Sequence, residues 1–346
     1  MTTQWYLQPA KSINSDTQMA AQQRQAILTK PQGSLGRLEQ LAIQFAGWQP
    51  SATPDCSHIA IRKFTADHGI CHRKVSAFPQ EVTKQMLLNF ATGCAAISVL
   101  ARRLNANFLA VNVGMASKME AMPGLVNLQI QPDAKDFSSE AAMSSQTMTQ
   151  AMNAGRDQIN DITAELFIGG EMGIGNSTSP SAIYSAVLGL EAEKTVGPST
   201  GVDQQGIDNK IWVIEEALKL HHEKRTTPVG ILQHLGGLEI AALVGAYIAA
   251  AQRGIPILVD GFITTAAALL ASAINPSSRE WMLFAHKSAE PAHVLALESL
   301  QAQPLLDLDI RLGEGSGAAV AVPIIQAALS LHAEMATFDS AGISKD

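Results

Sequence analysis

Charge is scarce in this sequence. Of 346 residues, 16% are Asp, Glu, Lys or Arg, and the formal net charge is −7. No run of Lys or Arg occurs, which argues against nucleic acid as a partner. An anionic ligand would have to be held by backbone N–H groups and a few placed cations. Cysteine is also scarce: Cys56, Cys71 and Cys94 have no metal-ligand spacing, and no metal site is expected. An odd cysteine count without a signal peptide points to reduced thiols in a cytoplasmic protein. The opening residues, MTTQW, have neither the basic nor the apolar region of a signal peptide. Long hydrophobic runs are missing too. Those near residues 240–251 and 264–274 are too short to span a bilayer. Being rich in small residues, they read as buried helices.

What is present is 47% hydrophobic and able to bury a large core. The length suits one large α/β domain plus a smaller part, or two domains. The chain is organised around residues 165–177, ELFIGGEMGIGNS. Leu166, Phe167 and Ile168 read as the end of a buried strand. Gly169, Gly170, Gly173 and Gly175 follow, and Asn176, Ser177 or Thr178 can cap the next helix. A strand, a glycine turn and a helix N-terminus make a common anion site, because backbone N–H groups then point at the ligand. A tight turn with no ligand fits the same residues. The stretch is not a P-loop, and its glycine spacing is wrong for a dinucleotide fingerprint.

Around this centre the periodicity predicts helices at 13–29 and from Ser34 to Phe45, a strand at 58–65, and one long helix at 80–104. A strand at 107–113, a loop at 115–137 and a helix at 140–160 come next. Residues 194–203 form a glycine- and hydroxyl-rich loop, structural or ligand-facing, and Lys210 opens a helix at 211–220. From Gly236 helices and strands alternate, with strands at 255–259 and 281–285, a helix after Pro291 leading to 305–308, and a last helix through His332. Asp67, Glu171, Asp260 and His286 fall where strands end, which is where open parallel sheets place their sites. Asp67-His68 could hold a metal or act as an acid–base pair, and a turn is preferred to the metal reading. His221-His222 reads as a solvated helix end in preference to a ligand pair.

Nine segments in order resemble one family over nearly the whole chain: the nicotinate-nucleotide–dimethylbenzimidazole phosphoribosyltransferases of cobalamin assembly. They are KPQGSLGRLE at 30–39, ADHG at 66–69, PQEVT at 79–83, GGEMGIGN at 169–176, VGPSTG at 196–201, GGLEIAA at 236–242, VDGFI at 259–263, HKSAEP at 286–291 and RLGEGSG at 311–317. Ser199 stands where the family pattern has glycine. The resemblance implies an α/β fold, a Rossmann-like, mostly parallel sheet flanked by helices. It implies a small helical domain from the two chain ends (1–50 and 309–346) beside a large domain at 55–308. It also implies a cytoplasmic homodimer with no cofactor.

The reaction so implied joins nicotinate mononucleotide and 5,6-dimethylbenzimidazole into α-ribazole 5′-phosphate and nicotinate. By the family pattern Glu314 is the general base, although by itself it also reads as an acid at a helix N-terminus. Glu171 would face the sugar. The 5′-phosphate would lie on Gly173, Ile174, Gly175, Asn176 and Ser177, with Lys210 as cation. Ala77, Phe78, Gln85 and Leu312 would bind the base. A nucleotide sensor on the same fold would bind without turnover and would not need Glu314. A nicotinamide-dinucleotide oxidoreductase would need a regular glycine fingerprint, which is absent.

Overall fold

The structure, a computed structural model, describes residues 4–197 and 201–344. Its centre is a parallel sheet of β1 (Ile59–Ala66), β2 (Asn107–Gly114), β3 (Leu125–Asn127), β4 (Leu166–Met172), β5 (Ile257–Val259) and β6 (Met282–Phe284). The order is β3-β2-β1-β4-β5-β6, the doubly wound order. Strand order reverses between β1 and β4, so the connections diverge there and leave a crevice at the strand C-termini. Every residue of β1 is buried, as a strand covered on both faces requires. A second parallel pair, β7 (His286–Lys287) and β8 (Leu306–Asp307), extends the chain beyond β6.

The helices are α1 (Ser15–Ile27), α2 (Arg37–Trp48), α3 (Glu81–Ala91), α4 (Ala96–Arg103), α5 (Ser145–Asn160), α6 (Thr178–Leu188) and α7 (Ala192–Thr195). They continue with α8 (Gln204–Leu220), α9 (Pro228–Leu235), α10 (Leu238–Arg253), α11 (Phe262–Ile274), α12 (Pro291–Ser299), α13 (Ser316–Glu334) and α14 (Phe338–Ala341). On one face α10 packs on β1, β2, β4 and β5, and α5 packs on α10. Residues 238–251 of α10 are all buried. Side chains at Gly155 or Gly245 would overlap the carbonyls of Ala242 or Met152, so bare glycines set the α5–α10 spacing. On the other face lie α3, α4 and α13.

The chain ends meet. Helix α1 packs on α2, and α2 packs on α13. The Arg24 guanidinium donates to the carbonyls of His332 and Ala333. Trp48 of α2 stacks on Trp281, with ring centroids 6.0 Å apart. By length and composition, residues Glu81–Arg103 and α13 could cross a membrane. The first is interrupted between α3 and α4, and 56% of the apolar window of α13 is buried in the protein, as in a core helix.

Several elements differ from the sequence expectations. The helix expected at 80–104 breaks where Gly93 takes φ +82°, and Ala95 then starts α4 from an extended conformation. The segment expected to be a loop at 115–137 contains β3. Helix α2 starts at Arg37, and Ser34 does not cap it; Leu35 N–H donates instead to Glu39 Oε1 at 3.0 Å. Helix α5 starts only after Ser144, whose hydroxyl caps it. Helix α8 starts at Gln204 under an Asp203 cap, so Lys210 lies inside it and does not open it. His221 is buried, not solvated: it bonds the Phe137 carbonyl at 2.8 Å and packs on His234, while His222 is exposed.

Candidate active site

A cavity of about 420 Å³ opens at the C-terminal edge of the sheet. Glu171 ends β4 inside it. Asp260 follows β5, His286 and Ser288 follow β6, and Arg311–Glu314 close the far wall. The sheet topology brings these four segments together from distant parts of the chain.

The wall at 313–315 has unusual backbone. Gly313, Glu314 and Gly315 all take left-handed φ, at +78°, +69° and +88°. For Glu314 that conformation costs about 1–2 kcal/mol, so other contacts must impose it. Asp260 accepts from Gly315 N–H at 3.1 Å and from Ala318 N–H at 2.7 Å, capping α13 from outside its own sequence. Glu171 Oε1 accepts from Glu314 N–H at 3.3 Å. The Glu314 carbonyl sits against bare Gly170, where any side chain would overlap it. The strained loop therefore rests on β4 and holds the Glu314 side chain at the cavity.

Glu314 is 6% exposed, and its Oε2 has no hydrogen-bond partner among the described residues. Burial raises its pKa above the usual carboxylate value; Lys63 opposes this and Glu171 adds to it. A partly desolvated carboxylate of raised basicity suits proton abstraction. Burial likewise raises Asp260, against the pull of His286 at 3.7 Å.

The glycine turn also lines this cavity. Asn176 N–H bonds the Gly173 carbonyl at 3.1 Å, and Thr178 N–H bonds the Gly175 carbonyl at 3.2 Å. Ile174 N–H donates to Thr83 Oγ1 at 3.1 Å. The N–H groups of Gly175 and Ser177 make no backbone bond in this turn. Gly175 takes φ +86°, which suits glycine. Asn176 Nδ2 donates to Glu171 Oε2 at 2.5 Å, tying the turn to the strand end. Lys210 Nζ donates to Ser177 Oγ at 2.9 Å. Burial pulls the Lys210 ammonium down to about 8, with Glu290 acting against it. Behind the turn, His68 Nε2 pairs with Glu239 at 2.7 Å, both fully buried. The His68 ring lies beside Gly173, and burial pushes its pKa down, but the Glu239 carboxylate outweighs that and the net shift is upward.

A family model for phosphoribosyltransferases matches residues 10–343. A nicotinate-nucleotide–dimethylbenzimidazole phosphoribosyltransferase of Pseudomonas syringae pv. syringae is 51% identical over 99% of both chains. One from Pseudomonas aeruginosa PAO1 is 48% identical, again over 99% of both. The crystal structure of the Thermus thermophilus enzyme of that name superposes with TM-score 0.91 at 36% identity, covering 96% of this chain and 100% of that one. CobT from the same organism gives 0.92 at 37% identity, with the same coverage. This chain belongs to the nicotinate-nucleotide–dimethylbenzimidazole phosphoribosyltransferase family.

Of the residues that the family pattern singles out, Glu314, Glu171, Gly173, Ile174, Gly175, Asn176, Ser177, Phe78 and Leu312 line this one cavity. Lys210 reaches it through Ser177. Ala77 and Gln85 do not line it and are exposed. On α3 the cavity is met by Val82 and Met86, four residues apart on one helical face, and Gln85 falls outside that face. Residues 198–200, with Ser199, lie outside the described residues. Gly197, just before them, packs against Glu290 of the cavity wall. Sequence reasoning missed Ser288, Arg311 and Met172 as lining residues. It also missed the His68–Glu239 pair, whose one signal is an acid inside the apolar run of α10.

Proposed function

We propose that this family member transfers the phosphoribosyl group of nicotinate mononucleotide to 5,6-dimethylbenzimidazole. The observation that carries the reading is one cavity lined by both an anion-suited glycine turn and the buried Glu314 carboxylate, with Glu171 bonded to each. The donor's 5′-phosphate would lie on the N–H groups of Gly175 and Ser177, with Lys210 as counter-charge. The apolar side chains of Phe78, Val82, Met86, Met172 and Leu312 suit a flat aromatic base.

In the donor, the ring nitrogen bound to C1′ is quaternary. Nicotinate therefore leaves with the bonding electron pair and needs no proton. A benzimidazole nitrogen forms the new bond to C1′ with its lone pair, from the face opposite the leaving group, so a β-donor gives an α-product. As that bond forms, the N–H at the other ring nitrogen becomes acidic. Glu314 takes this proton and later releases it to solvent. Glu171, at the end of β4, offsets positive charge developing on the sugar. The chemistry calls for no metal or cofactor, because no pyrophosphate departs.

We further propose a cytoplasmic homodimer. Val320 and Ile324 on α13 and Val99 on the adjacent α4 are exposed apolar side chains that a second subunit would cover. The contacts of α2 with α13 support a small domain from 1–50 and 309–346 beside a large domain at 55–308. The test of the reaction is to incubate the protein with nicotinate mononucleotide and a panel of benzimidazoles and phenols. Mass spectrometry should find nucleotide products with dimethylbenzimidazole and with several other flat nitrogen bases. Products with phenols alone, or ligand binding with no product at all, would overturn the reading.

A further inference from the structure

Lys63 is the least expected residue of the core. It lies inside β1 and is fully buried. Its neighbours in register are Ala110 on β2 and Gly170 on β4. The ammonium Nζ has no hydrogen-bond acceptor among the described residues. It lies over the ring of Phe90 on α3, whose centroid is 4.7 Å away. A buried charge without a bonded partner is costly, and Leu or Met would fill the same space without that cost.

What faces Lys63 gives it a use. Gly170 has no side chain, and one placed there would meet both Lys63 Cδ, at 3.0 Å, and the Glu314 carbonyl. The lysine stem and the strained Glu314 loop thus share the bare surface of Gly170. Glu314 Oε2 is also buried without a partner among the described residues. Nearby, the oxygens of Glu171 are held by Asn176 Nδ2 and Glu314 N–H, and those of Asp260 by Gly315 and Ala318 N–H. The bonds to Asp260 favour its ionised form, against the burial that raises its pKa. Three carboxylates crowd one site, and Glu314 is the one whose charge is least supported by hydrogen bonds.

We propose that Lys63 is a positioning residue acting through Glu314: its buried ammonium holds the base as a carboxylate without touching either substrate. The inference rests on the reading of Glu314 as the base. The balance of charges agrees with it. Burial raises Glu314, Lys63 is the largest opposing influence, and Glu171 and Asp260 push the same way as burial, while the Ile97 N–H at the start of α4 opposes them. Burial lowers Lys63 in turn, against Glu171 on β4, Glu314 on its loop, Asp260 after β5 and Glu239 on α10.

The experiment compares pH profiles of kcat, and KM for both substrates, in native, K63M, K63R and E314Q enzyme. In K63M the acid limb should move to higher pH by about 1–3 units, the range over which a close opposite charge shifts a carboxylate. At pH values below the displaced limb turnover should fall by up to about tenfold for each pH unit the limb moves and recover at higher pH, with KM little changed. K63R, which keeps the charge, should keep the native limb. A folded K63M with a native acid limb, or with a loss equal at every pH, overturns the inference and leaves Glu314 as base. Normal turnover in E314Q overturns both. Should K63M not fold, infrared difference spectra of native against E314Q protein at neutral pH decide: a carboxylate band supports the inference, and a protonated carboxyl band overturns it.

Discussion

Replacing Glu314 with Gln separates two roles that the sequence alone leaves open. The amide keeps size and shape but takes no proton. If Glu314 is the base, kcat should fall roughly 10²–10⁴-fold, which is about 3–6 kcal/mol of barrier at about 1.4 kcal/mol per decade. Substrate binding should be largely retained, because the glycine turn, Lys210 and the apolar wall are untouched. Stability gives the second observable. An acid at a helix N-terminus stabilises by about 0.3–1 kcal/mol, so its loss would lower Tm. Glu314 should behave in the opposite way. Its pKa is raised by burial, so the folded protein binds the proton more tightly than the unfolded chain does. Its charged form therefore opposes folding at neutral pH, and stability from this group grows as pH falls. Gln at 314 should leave Tm unchanged or raise it, because it removes a buried charge while keeping the Glu314 N–H bond to Glu171. Single-turnover kinetics with mass detection, and thermal unfolding of the same sample at neutral pH, measure the two effects. Near-normal turnover together with a lowered Tm would refute the reasoning and make Glu314 a structural acid.

Three further outcomes follow from the same geometry. Gly175→Asp adds a charge and a strained side chain at φ +86°, against Cys71, and should weaken nicotinate mononucleotide far more than dimethylbenzimidazole; equal losses in calorimetric titrations would contradict the phosphate role. Gly155→Ala should push α5 away from α10 and cost about 1–3 kcal/mol in denaturant unfolding, leaving kcat of the folded enzyme near native; an unchanged unfolding midpoint would mean that the two helices separate freely. His68, raised by Glu239, should stabilise the fold fully below its ordinary pKa of about 6.5, and that stability should fade as pH climbs through the raised folded value. Asp67 and Glu171 also face it and act in the same sense as Glu239. His68→Gln should flatten the decline of unfolding free energy above about pH 6.5, and parallel native and variant curves would count against the charged pair.

Parts of the molecule were legible from local chemistry. The apolar runs ending in Asp67, Glu171 and Asp260 read as buried strands with polar ends; Glu171 and Asp260 line the cavity, whereas Asp67 lies outside its lining and accepts from Ala116 N–H. The turn at 169–177 and the loop at 311–317 carried enough glycine to mark close backbone approach. Other features depended on distance along the chain. Three residues of β3 are too few for a period-two pattern, and pairing with β2 makes them a strand. Gly93 is one glycine in an otherwise helical run, and only its left-handed φ ends α3. The phase of α3 decided which of its side chains line the cavity: starting at Glu81, it turns Val82 and Met86 inward and Gln85 outward. His68 and Glu239 stand 171 residues apart, so neither predicts the other.

The stacked indoles of Trp48 and Trp281 give the protein an optical handle of a particular kind. Both are buried, they join α2 to the start of β6, and neither lines the cavity; nor do Trp5 or Trp212. Intrinsic fluorescence should therefore follow the detachment of the N-terminal helices from the sheet edge and stay nearly silent when substrates enter. The coupled transitions of the pair should also give a near-ultraviolet circular dichroism band. Its loss would time the separation of α2 from the sheet edge independently of any assay of turnover.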